Sequence, residues 1–214
     1  MRNKKIWSCL KALGVAVSLL STSVSQATPI NGNPTTGLIG PASTIFFNEV
    51  ILPDNTPLTN EYAGLGVSSF SGFFFNPCTT CVQTPPSGSD PDIGNFANNN
   101  TSIFTGLQAI EFTSALNGAA FQFASNGGPF TFTALLGGTI VEQFTGNGNA
   151  WGYYGFSNVT LDEIQILSPS AMLIDNLQLG SAVAVPVPAP LALLGIGLLG
   201  LAASRRKSAK GQSA

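Results

Sequence analysis

The chain of 214 residues contains no histidine, and between Lys11 and Arg205 it contains no lysine or arginine either. Only 8 % of its residues are charged, and all ten acidic ones fall inside that cation-free interval, from Glu49 to Asp175. A body carrying charge of one sign repels phosphate backbones, which excludes nucleic acid as a partner. It has no imidazole for general base work, no lysine for a Schiff base and no arginine to clamp an anion. We therefore expect no enzyme, and the sequence nominates no catalytic residue.

Cysteine is nearly as scarce, with three residues in the chain. Cys9 lies in an N-terminal stretch that reads as a secretory signal peptide. Arg2, Lys4 and Lys5 form its basic start, an apolar run spans Leu13 to Leu20, and small residues lead to a cleavage point between Ala27 and Thr28. Cys78 and Cys81 stand in "NPCTTCVQTPP", among prolines and without a second pair or a histidine to complete four zinc ligands. In an exported protein a local disulfide between them is the leading reading, beside a redox pair or two free thiols.

What is abundant is glycine, phenylalanine and short β-prone runs. Segments such as "AAFQFAS", "FTFTALL", "TIVEQFT" and "VTLDEIQIL" alternate at period two, and "NGG" and "GNGN" separate them as hairpin turns do. No stretch of the body carries a sustained stripe at helical spacing. The expected fold is all-β: a single β-sandwich over residues 43–180, after a signal segment 1–27 and a linker 28–42. A proline-rich linker 181–190, an apolar segment 191–204 and a basic tail 205–214 follow it.

Two carboxylates stand out. Glu49 is in phase with Ile45, Phe47 and Ile51, and Asp175 with Leu173, Leu177 and Leu179. If those apolar residues face inward, both acids head for the core side of their strands, where no basic side chain can neutralise them. A structural calcium ion would supply the missing charge, since calcium takes carboxylate and carbonyl oxygens. The alternative is that both acids sit at strand ends in water or accept backbone N–H groups. In "WGYYGF", alternation puts Trp151 and Tyr153 on one face and Tyr154 and Phe156 on the other. One face must be core, which leaves Trp151 and Tyr153 as candidates for glycan contact, with plain packing as the other reading.

The C-terminus joins a proline cluster (Val185, Pro186, Val187, Pro188, Ala189, Pro190) to an apolar run ending at Ser204 and then to Arg205, Arg206 and Lys207. The apolar run sits near the lower length limit for spanning a bilayer core of about 30 Å, and the basic cluster would stay on the cytoplasmic side. In combination these parts resemble the PEP-CTERM sorting signal of Gram-negative bacteria, with Val187 where the name-giving Glu would stand, a VPxPA-type variant. The resemblance implies an inner-membrane-held precursor recognised by an exosortase, a membrane protease-transpeptidase. Delivery to the cell surface or extracellular matrix follows, with exopolysaccharide as a further partner.

The body resembles the sandwich domains such proteins bear, opening with Phe47-Asn48-Glu49 and closing with Ile174-Asp175-Asn176-Leu177. That likeness implies a lectin-like jelly roll, some relatives of which hold a structural calcium. The implied role is structural or adhesive, or that of a carbohydrate-binding module with a defined site.

Overall fold

The computed structural model describes residues 27–33, 37–77, 95–99, 106–148 and 151–184. The signal segment, Cys78 and Cys81, and the apolar and basic segments from 185 onward lie outside them. The fold is all-β. The strands are β1 (Thr28–Asn33), β2 (Ser43–Ile45), β3 (Thr56–Pro57), β4 (Val67–Ser71), β5 (Phe74–Asn76) and β6 (Phe96–Asn98). Then come β7 (Gly106–Ser125), β8 (Phe130–Leu136), β9 (Thr139–Gly146), β10 (Gly152–Ser168) and β11 (Met172–Leu179). One 3-10 turn, Ala63–Leu65, interrupts them among the described residues. All pair into one antiparallel sheet of order β3-β5-β6-β11-β7-β10-β8-β9, with β1 on β10, β2 on β11 and β4 on β7.

Two long strands organise the sheet by using their halves differently. The first half of β7 lies between β4 and the second half of β10; its second half lies between β11 and the first half of β10. Both strands break register at one level: Ser157 pairs with Gly118, Leu161 with Leu116 and Glu163 with Glu111. Such irregularities bend and twist a sheet. Sequence patterning divides each long strand into two short ones at this level, around "LNG" and "SNV"; each instead continues as one strand, and backbone bonds to residues 181–183 hold β7 at the bend.

The sheet curls so that rings from strands sharing no ladder meet. Phe123 of β7 packs edge-on against Phe130 and Phe132 of β8, with centroids 4.8 and 5.2 Å apart. Phe132 also stacks on Phe144 of β9 and Tyr154 of β10 at 5.0 and 5.1 Å. A second aromatic group, Phe47, Tyr62, Phe70 and Phe73, fills the other end of the same core. Each such ring removed from water contributes about 1.5–3 kcal/mol. The two-residue turn Gly137-Gly138, with φ of +57° and +75°, joins β8 to β9 in the left-handed geometry that a tight hairpin requires.

Two boundaries differ from the sequence reading. Residues 28–33 are not a linker but β1, which pairs with β10 from Thr28↔Ser157 to Asn33↔Tyr153. Their polar composition hides this, because an edge strand with one ladder needs few apolar side chains. At the other end the chain does not leave the domain at residue 181. Asn117 N donates to Ser181 O (3.0 Å) and Val183 N to Ala115 O (2.8 Å), strapping the segment onto the bend of β7.

Candidate functional site

Asp175 lies in β11 opposite Gln122 of β7 and is buried, 2 % exposed. The next residue, Asn176, has a φ of +46° and starts a register shift that ends at Gln178. Along this irregular stretch Asp175, Asn176 and Leu177 are buried in succession, where a strand with one solvated face would alternate. Asn176 N donates to Asp175 Oδ1 (2.7 Å), and its side-chain Nδ2 donates to Gln122 Oε1 (2.6 Å).

Glu49 is placed differently from the expectation. Strand β2 ends at Ile45, and Phe47 takes a φ of +55°. The reversal keeps Phe47 buried but breaks the period-two phase, so Glu49 is exposed and Ile51 is 85 % exposed. Glu49 does not head into the core; its Oε1 accepts the Phe46 N–H at 2.9 Å.

The two carboxylates nevertheless act on a common neighbour. Burial, followed by the negative charges of Glu49, Glu61 and Asp175, holds the Tyr62 phenol well above its ordinary pKa. The Tyr62 hydroxyl donates to Phe47 O (3.5 Å), a carbonyl that also accepts from Asn95 Nδ2 (3.3 Å). Asn95 N in turn donates to Asn48 Oδ1 (3.0 Å). The opening segment and the last strand are neighbours through the Ile45–Leu177 pair. Among the described residues no three His, Cys, Asp or Glu side chains group as metal ligands. Carbonyl and amide oxygens would have to complete a calcium shell of 6–8.

In the aromatic segment, Tyr154 and Phe156 are core, and Trp151 and Tyr153 are half-buried. Burial raises the Tyr154 phenol, against the lowering effect of the Gly148 N–H that it accepts at 3.2 Å. The buried Trp151 Nε1 has no hydrogen-bond partner. A cavity of about 390 Å³ lies elsewhere, where β1, the bends of β7 and β10, and the strap after β11 meet. Its residues carry no period or motif, so nothing in the sequence singles them out.

Comparison with known proteins identifies the C-terminus. The chain carries the PEP-CTERM protein-sorting motif, matched by its family model over residues 184–207. The motif marks an exported protein that an exosortase sorts to the cell surface. Among the described residues no helix is long and apolar enough to cross a membrane, and residues 185–207 of the motif lie outside them. The chain is similar to a solved structure, the K2 cleaved adhesin domain of Lys-gingipain, at 9 % identity and a TM-score of 0.40. The likeness covers 65 % of this chain and 99 % of that one. No curated protein matches the chain.

Proposed function

We propose that the β-domain is a non-enzymatic structural or adhesive component of the extracellular polysaccharide layer, folded as a single jelly-roll sandwich and delivered by the C-terminal signal. The observation that carries the reading is the junction of a sorting motif at 184–207 to an all-β body whose sequence lacks every basic side chain and histidine. Curling of the sheet until β7 and β8 meet ring to ring supports the sandwich. In this reading the tail inserts in the inner membrane through 191–204 until the exosortase cuts near Val185–Pro190, and the chain then passes to the surface.

The test is the mass and location of the protein in its native host, with and without the exosortase. Loss of the residues beyond the proline cluster, together with release from the inner membrane only when the exosortase is present, is the expected result. An intact C-terminus retained in the membrane in both strains would make the tail a plain anchor and overturn the reading.

A structural calcium at the Glu49–Asp175 corner belongs to the same proposal. Asp175 is buried in the last strand, two residues from the Leu177–Ile45 pair that joins that strand to the opening segment. There the ion would tie the opening segment of the domain to its last strand. The alternative use of the surface, a carbohydrate-binding module, would place a glycan on Trp151 and Tyr153.

A further inference from the structure

We propose that the cavity between β1, the bends of β7 and β10, and the Gly180–Ser181 strap is a binding site for a short uncharged glycan segment. The proposal rests on the reading that the domain works within a polysaccharide layer; neither Trp151 nor Tyr153 lines the cavity, and the Tyr153 ring lies behind its Gly37 wall.

Three features of the cavity select that ligand class. The first is charge: the body holds ten carboxylates, and among the described residues none of them lines this cavity. A metal cation therefore finds no carboxylate here. An anion meets a negative body and no guanidinium or ammonium side chain. The second is the kind of polar group. Asn31, Asn117, Asn158, Ser157 and Ser181 line it with amides and hydroxyls, which both donate and accept hydrogen bonds, as sugar hydroxyls do. The third is size and shape. A volume of about 390 Å³ is at the small end of ligand pockets, which run from about 300 to 1,000 Å³. Ile39, 99 % exposed, stands at the lip as an apolar edge against which the C–H face of a sugar ring can lie.

The walls are fixed rather than loose. Leu38 N donates to Gln178 Oε1 at 2.6 Å and Ala42 N to Leu179 O at 2.8 Å, pinning the 37–40 segment to β11. Ser157 Oγ donates to Thr28 O at 3.2 Å, holding β1 against the bend. Asn158 sits at that bend with a φ of +58°, where the pairing of β10 with β7 shifts register. A pre-formed wall lowers the ordering cost of binding.

The experiment uses the full-length chain in mild detergent, titrated calorimetrically with maltotriose, cellotriose and mannotriose, and with tri-galacturonate as the acidic counterpart. The expected result is saturable binding of at least one neutral trisaccharide and at least about tenfold weaker uptake of the uronate. Asn117→Ala and Asn158→Gly should each weaken the neutral sugar about tenfold with an unchanged Tm, the glycine being chosen because it accepts the positive φ. Trp151→Ala should leave the affinity unaltered. Absence of binding by all three neutral sugars, preference for the uronate, or wild-type affinity in both asparagine variants would overturn the proposal. Localisation in the host separates the two readings. If the asparagine variants bind sugar normally while the chain is still retained in the surface layer, the cavity proposal falls and the adhesive one stands. If the wild-type chain binds sugar as expected but is absent from the layer, the adhesive reading falls and the cavity site stands.

Discussion

Truncating Phe132 to alanine should remove more stability than any other single ring of the β8–β9 hairpin. Phe132 is fully buried and lies within 5.0 to 6.5 Å, centroid to centroid, of Phe121, Phe123, Phe130, Phe144 and Tyr154. Removing a buried ring costs about 3–5 kcal/mol through lost transfer energy and the cavity left behind. The aromatic pair geometries add about 0.5–1.5 kcal/mol each, but they share one ring and do not sum. Against a total stability of about 5–15 kcal/mol, the variant keeps a small margin or none. Phe132→Leu retains most of the volume and should lose about 1–2 kcal/mol, chiefly the ring pairs. Phe144 stacks on the same ring but is only half-buried, so Phe144→Ala should cost roughly half as much as Phe132→Ala. Guanidinium unfolding of the full-length chain in mild detergent, followed by near-ultraviolet dichroism and by tryptophan fluorescence with Trp7 replaced by Phe, measures all three. A Phe132→Ala loss no larger than that of Phe144→Ala would refute the assignment of this ring as the centre of the core.

Gly155 has a φ of +151°, and a Cβ there would lie 2.2 Å from Ala119 O and 2.5 Å from Ala120 Cα, so Gly155→Ala should cost about 2–5 kcal/mol in the same titration. Gly40→Ala, at φ +65° with no atom within 4 Å of its Cβ, should cost only about 1 kcal/mol, and equal losses at the two positions would remove the clash argument. Folding holds the Tyr62 proton more tightly than the unfolded chain does, so the stability tied to that proton is intact below pH 10 and falls as pH rises beyond it. Tyr62→Phe should flatten this alkaline decline, leaving the share that belongs to Tyr154, and an unchanged pH profile would show that Tyr62 plays no part. If calcium ties Glu49 to Asp175, a chelator should lower the Tm of the wild-type chain, and Asp175→Asn should abolish that sensitivity; at a hundredfold excess over Kd the ion contributes about 2.7 kcal/mol. A melt that ignores the chelator ends the calcium reading.

The sequence by itself determined the properties that are local or compositional. Positive charge confined to the ends, a proline cluster followed by an apolar run and "RRK", and period-two phenylalanines are each read from the sequence alone, and the physics that reads them is local or compositional. From these follow the sorting signal, the all-β class and the inward rings Phe121, Phe123, Phe130 and Phe132. Tertiary structure decided whatever depends on a distant partner or on a single dihedral. Glu49 is out of phase with the core because one residue, Phe47, reverses its φ, and no residue type at that position announces the reversal. Apparent short strands fuse into β7 and β10 because the two strands pair with each other on either side of the bend. Polar residues 28–33 become a strand because β10 offers an open edge. The amide-lined cavity arises from five segments spread from Thr28 to Ser181, brought together by the pairing of β1 and β7 with β10 and by the bonds of the 37–40 segment to β11.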